Sequence, residues 1–493
     1  MSVKERIFTS SLWSIAGTGA AILSNFIVFA LLARLLQPID FGLVAFAAIF
    51  IDLARNLMSG GIAEILIRSK EWDETLASTA FWLNLGSTLL FTIATAAIAV
   101  PLAYAYGSPT LAEVFLVLAL SLVVEGVRCV HEAKLRREFG YKVLALRTVV
   151  ASIVGGAVGI ALAILGFGVW ALVANRVLVA VLQTMVVVRA APWTPRAVFS
   201  RAECTRLLSF GADMMGVRLL TQVGGKAAEL VIGLVLGPAA LGLYSVASRA
   251  LNLLFQVAIS PIQTTALSAF SRLKDDRAIG GAYLRLTRAT ALVSFPVYFG
   301  VAATAPDIVA VCFGRHWEQS GAIMTALALA AVPTTLVTFV QPALVTVGRT
   351  RLALLSSFGT LVLSSVAALA TVAFGVIVVA IGQAFRAYAA APFVLSLLKR
   401  GVGLSVLQSL RSVWEPCVAA VLMGALVAVA RIYALADLSP GLRLSLCIAL
   451  GISAYAAILM TVVRRYTAET MLELMPHLPS GARDIAQRIV PKV

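Results

Sequence analysis

Apolar runs of about 20 residues, each long enough to cross a bilayer as a helix, recur from one end of this chain to the other. Fourteen are expected, near residues 10–33, 41–59, 79–102, 109–127, 143–165, 167–188, 207–235, 241–268, 289–306, 320–345, 352–372, 374–398, 413–430 and 444–463. With 60% hydrophobic residues, 13% charged and a mean hydropathy of +0.97, no soluble alternative competes. The fold class is all-α, a polytopic membrane protein. The ninth run, interrupted by Pro296 and closed by Pro306, is the weakest, and twelve spans is the alternative count.

The formal net charge of +16 raises a nucleic-acid partner, which the placement of the charges removes. Of 39 Lys and Arg, 28 fall at the N-terminus, in even-numbered connections and in the C-terminal tail. Four fall in odd-numbered connections (Arg34, Arg315, Arg431, Arg443) and seven inside spans. Positive charge gathers on the cytoplasmic side of membrane proteins, so both termini are expected there and the span number is even. The first run, about 24 residues, is too long for a cleaved signal. Five scattered cysteines and three isolated histidines give neither a disulfide framework nor a metal site. "GGKAAE" at Gly224 lacks the spacing and hydroxyl of a phosphate-binding loop, so ATP is not the direct fuel and no cofactor is implied. Catalytic motifs are missing from the connections as well. The expectation is a secondary transporter and not an enzyme.

One connector is written twice. "ARLLQPIDFGLVAF" (33–46) and "GLVLGPAALGLYSV" (233–246) align Pro38 with Pro238, Gly42 with Gly242 and Leu43 with Leu243. Six spans separate them, so both copies sit on the same face. "FGVWALVANR" (167–176) and "FGVIVVAIGQAFR" (374–386) form a second echo, with Arg176 and Arg386 nine and twelve residues after their Phe. Two six-helix lobes related by an axis along the membrane normal are expected. Residues 1–188 and 207–400 form the lobes, joined by a cytoplasmic bridge at 189–206. An extra helix pair (401–463) and an interfacial tail (464–493) follow.

A charge in mid-bilayer costs about 2.5–3.5 kcal/mol on insertion scales, so such residues mark function or pairing. Arg55 and Arg147 lie near cytoplasmic helix ends and can reach the headgroups along their aliphatic stems. Arg176, Arg218, Lys226 and Arg386 are too deep for that, and Arg249 is intermediate. Against them stand Asp52 and Glu229 as the deep acids. Lys226 and Glu229, three apart, can neutralise one another, or Glu229 can take up a proton or cation in a transport cycle. The balance is a cationic interior suited to an anion such as phosphate, which Arg grips with two hydrogen bonds. Arg176, Arg218, Lys226, Arg249 and Arg386 are the candidate anion-binding residues; Glu229 and Asp52 are the candidate coupling residues.

Several stretches in order, "ARLLQPIDFGLVAF", "FWLNLGSTLL", "KLRREFGYKVLAL", "FGVWALV", "VLGPAALGLYSVASRAL", "SAFSRLKDD" and "FGRHW", resemble the Wzx-type polysaccharide exporters. The resemblance covers about residues 5–400 and runs closest to exporters of the succinoglycan or colanic-acid kind. It implies a flippase that turns undecaprenyl-pyrophosphate-linked oligosaccharide from the cytoplasmic to the periplasmic leaflet, for exopolysaccharide or lipopolysaccharide assembly. It also implies a polysaccharide polymerase and export complex as partners. The chain departs from the family where an Asp-Asn pair commonly precedes "LLIG". Ala228 and Glu229 stand before "LVIG" here, moving the acid one residue, about 100° around the helix. The alternatives are a MATE-like drug or cation antiporter, a membrane polysaccharide polymerase or ligase, and a non-transporting scaffold.

Overall fold

The apolar runs become long helices because a backbone in hydrocarbon must satisfy its own hydrogen bonds. The computed structural model describes residues 3–461 except 59–61, 70–71, 139, 271–272 and 274; the side chains of 3–16, 18, 58, 68, 210–218 and 257–269 are also outside it. The expected tail at 464–493 therefore lies outside the described residues, and among the described ones there is no strand. The order is α1 (Val3–Leu35), α2 (Pro38–Met58), α3 (Ile62–Arg68), α4 (Glu74–Tyr106), α5 (Pro109–Arg137), α6 (Tyr141–Ile164), α7 (Val169–Ala190), α8 (Arg201–Leu236) and α9 (Pro238–Phe270). There follow α10 (Asp276–Cys312), α11 (Glu318–Val337), α12 (Val340–Thr346), α13 (Thr350–Thr371), α14 (Val376–Val402), α15 (Val406–Arg411), α16 (Trp414–Val429) and α17 (Pro440–Thr461). Twelve stretches among the described residues are long and apolar enough to cross a membrane, and α1 adds a shorter apolar piece, Gly19–Leu35. Pro38, Pro109, Pro238 and Pro440 each open a helix, where the missing N–H has no partner to lose.

Two compact units divide the chain, residues 1–246 and 247–493. In the first, α4 packs on α5, α1 on α6, α6 on α7, α5 on α7, and α2 on α5 and α8. Glycines let the backbones close: a Cβ on Gly17 would strike Ala145, and one on Gly156 would strike Val28. The segment expected as a bridge, 189–206, lies within the first unit. The Trp72 and Trp193 indoles donate to the two oxygens of Glu74 at 3.1 and 2.8 Å. Trp82 donates to the Arg196 carbonyl, and the Ser200 amide donates to Thr79.

In the second unit α10 packs on α11, α13 on α14, and α11 on α14, repeating the pattern of α4, α5, α6 and α7. Gly168 and Gly375, the glycines of the two Phe-Gly-Val echoes, both hold positive φ (54° and 98°) just before α7 and α14. This conformation is open to glycine at little cost.

The ninth expected span, 289–306, proves too short. α10 runs unbroken through Pro296 and Pro306 for 37 residues. A helix proline leaves the carbonyl four residues earlier without its donor. Here Tyr455 donates to Leu292 (2.9 Å) and Thr325 to Ala302 (3.1 Å), each filling the place of the lost N–H. Pro333 in α11 has the same remedy, with Tyr388 donating to Leu329 at 3.2 Å. The extra pair α16 and α17 is clamped by a buried carboxylate, Asp307, which accepts from Arg431 (2.5 Å) and Arg443 (2.9 Å). Two of the four basic residues in odd-numbered connections thus have a local partner.

Candidate functional site

The twin connectors meet. Gly42 lies so close to Pro238 that an added Cβ would fall 1.7 Å from the proline's carbonyl oxygen. Gly242 lies in the same way against Pro38 and the Gly42 amide. The contact is reciprocal, with each glycine seated on the other copy's helix-opening proline. It brings the start of α9 against the start of α2, while α8 packs along α2. Gly233 of α8 fits over the Phe46 ring, and the Tyr106 hydroxyl donates to the Gly233 carbonyl.

Farther along the α2–α8 seam a cavity of about 400 Å³ opens, lined by Ile49, Phe50, Asp52, Arg55, Gln222 and Lys226 among others. Asp52 and Arg55 share a face because they are three residues apart on α2. Arg55 donates to both oxygens of Glu125 on α5 (2.6 and 2.9 Å) and to Asp52 (2.8 Å). Arg176 of α7 lies 3.5 Å from the same Asp52 oxygen. On α8, Lys226 donates to Glu229 at 2.7 Å.

Of the expected site residues, Asp52, Arg176, Lys226 and Glu229 come together in the first unit. The Arg218 side chain lies outside the described residues. Arg249 on α9 and Arg386 on α14 belong to the second unit, each with neighbours of its own. Arg55 and Glu125 were not expected here. Arg55 does not reach for the headgroups but chelates Glu125, and Arg147 pairs with Glu132 at 2.8 Å. The i, i+3 spacing of Asp52 and Arg55 was a signal for the former; Glu125 carried none.

An excess of positive charge is not visible around this cavity among the described residues. Arg55, Arg176 and Lys226 are matched by Asp52, Glu125 and Glu229, because Glu125 reaches in from α5. The order in depth differs, however. The Arg55 and Lys226 side chains are 37% and 40% exposed, while their partners Glu125 and Glu229 are 12% and 9%. The wall itself carries Arg55, Lys226 and Asp52, with the two other acids behind it. A ligand entering the cavity meets more positive charge than negative.

Long apolar helices of this number, with a charged cavity on the α2–α8 seam of the first unit, define a polytopic α-helical membrane protein. Among solved structures the fold matches the lipid II flippase MurJ, inward closed, with a TM-score of 0.75 over 92% of this chain and 99% of that one, at 13% identity. An inward-facing MATE multidrug transporter matches with a TM-score of 0.55 over 82% and 95%, at 18% identity. The chain belongs to the polysaccharide biosynthesis protein family, whose profile matches residues 31–322. Its relatives include the succinoglycan biosynthesis transport protein ExoT of Rhizobium meliloti, 26% identical over 318 residues, and the lipopolysaccharide biosynthesis protein WzxC of Escherichia coli, 23% over 333. These matches cover 64% and 65% of this chain and the same shares of the relatives, just under two thirds of each. The teichuronic acid biosynthesis protein TuaB of Bacillus subtilis is 23% identical over 379 residues, 76% of this chain and 78% of that one.

Proposed function

We propose that the chain is a secondary transporter that flips undecaprenyl-pyrophosphate-linked oligosaccharide outward across a bacterial inner membrane, feeding polysaccharide assembly. It crosses fourteen times with both termini cytoplasmic. Its six-helix lobes at 1–188 and 207–400 open alternately along the α2–α8 seam. The observation that carries this reading is the depth order of two ion pairs, with Arg55 and Lys226 toward the cavity and their partners Glu125 and Glu229 behind them. Glu125 and Glu229 hold Arg55 and Lys226. An arriving pyrophosphate offers several anionic oxygens and takes over those donors, Arg55 in bidentate fashion. Arg176 moves its weak 3.5 Å contact from Asp52 to the ligand. Arg218, Arg249 and Arg386 extend the anion path. Asp52 and Glu229, released from their partners, become the groups able to accept a proton and couple the return step.

The short outer connections support transport over polymerisation. Two residues separate α1 from α2 and α4 from α5, and one separates α8 from α9, leaving no room for an acceptor-binding domain there. A cation antiporter would want the reverse depth order, carboxylates forward and basic groups behind. The membrane potential, negative inside, lowers the energy of each negative charge moved outward by about 2.3 kcal/mol per 100 mV. In proteoliposomes, imposing that potential is therefore expected to speed flipping of a fluorescent oligosaccharide pyrophosphate lipid. A rate indifferent to the potential sinks this part of the mechanism.

A further inference from the structure

A second cavity, of about 350 Å³, opens between α1, α5 and α6, where α5 ends and α6 begins. It shares no residue with the α2–α8 cavity. Gly17 and Ala21 of α1 and Ala145 of α6 make one side small and apolar, while Glu132, Arg136, Arg147 and Thr148 make the other polar.

Glu132 has more partners than neutralisation needs. Arg147 donates to one oxygen at 2.8 Å, Arg136 donates to the other at 2.8 Å, and Arg128 stands 3.4 Å away. Three guanidinium groups on one carboxylate leave an excess of two positive charges. A structural ion pair requires one guanidinium, and each further buried charge is costly. Arg147 is 8% exposed, and its Nε finds no acceptor among the described residues. The Arg136 side chain stands at the rim, 51% exposed. A buried donor without an acceptor, an exposed rim donor and more guanidinium than carboxylate charge all call for an anion with several oxygens. The flanking surface says what carries that anion: Leu23 and Ile27 of α1 and Leu146, Val150 and Ile153 of α6 are exposed apolar side chains suited to an acyl or prenyl chain.

We propose that this cavity is a second anion site, which takes the phosphate of a phosphorylated lipid while the lipid's tail runs along α1 and α6. The phosphate completes the guanidinium cluster that Glu132 only partly satisfies. A membrane phospholipid and a lipid-linked pyrophosphate offer the same chemistry here. The site stands on its own geometry and not on the flippase reading.

The test uses full-length protein carrying Lys226→Gln, so that binding at the α2–α8 cavity is weakened. Native mass spectrometry follows titration with phosphatidylglycerol and, separately, with undecaprenyl pyrophosphate. One lipid should remain bound, and adding Arg136→Gln should weaken it roughly tenfold, with Arg136→Lys restoring part of the loss. Arg136 is exposed, so its variant folds where Arg147→Gln can fail. Tighter binding of phosphatidylglycerol identifies a membrane lipid site, and tighter binding of undecaprenyl pyrophosphate identifies a docking site for the lipid-linked sugar. Unchanged binding of both lipids by Arg136→Gln, or no binding by its parent, overturns the proposal.

Discussion

At the scale of single residues, depth governs what a charge is worth. Lys226 and Glu229 form one pair but differ fourfold in side-chain exposure, 40% against 9%. Lys226→Met strands a buried carboxylate, which costs about 3 kcal/mol or more when its partner is removed. Glu229→Gln leaves an ammonium that still reaches the cavity, and a loss nearer 1 kcal/mol is expected. Thermal unfolding in detergent should rank Lys226→Met well below Glu229→Gln; equal midpoints would contradict the depth order. Gly42 makes a second case. Its Ala variant forces a Cβ against the Pro238 carbonyl, so α2 and α9 must part, at a cost of about 2–3 kcal/mol. Gly86→Ala meets nothing within 4 Å and should be neutral or gain about 0.5–1 kcal/mol from helix propensity. The same unfolding assay reads both. The need for these glycines was legible in the sequence as a repeated Pro-x-x-x-Gly, but their mutual contact was not. A repeat tells that two segments are alike and is silent on whether they touch.

At the scale of elements, the helices show how a membrane protein keeps prolines. Pro296, Pro306 and Pro333 look like breaks when only local propensity is weighed, and the first two made the ninth span look doubtful. The remedy comes from partners distant in sequence: Tyr455, Thr325 and Tyr388 donate to the carbonyls that the prolines strand. A hydroxyl 159 residues away from its proline, as Tyr455 is from Pro296, leaves no local trace. Tyr455→Phe should cost about 1–2 kcal/mol, because Leu292 then has no donor in a place without water. With Pro296→Ala restoring an N–H, most of that cost should vanish. A double-mutant cycle in unfolding free energy is expected to give a coupling of about 1 kcal/mol, and additivity would rule out the proposed exchange of donors. The site was read less completely for a similar reason. Asp52, Arg176, Lys226 and Glu229 stood out as charges in apolar runs. Glu125 lies toward the end of its apolar run with no partner nearby in sequence, and only tertiary packing turns it onto Arg55.

At the scale of the whole molecule, hydrophobicity, charge bias and repeat together were enough for the all-α membrane class and the transporter fold. The neutral sum of the charges around the cavity was not legible there, because counting along a chain misses the acid that packing brings in and ignores which charges lie at the back of a wall. The central claim is that this wall receives a lipid pyrophosphate and that the chain moves it outward. Lipid extracts from a deletion strain of the host test it most directly. Undecaprenyl-pyrophosphate-linked oligosaccharide should accumulate in that strain and be cleared by the wild-type chain, but not by Arg176→Ala or Lys226→Gln chains present in the membrane at equal amounts. Unchanged lipid-linked intermediates on deletion, or full clearance by both variants, would contradict the account.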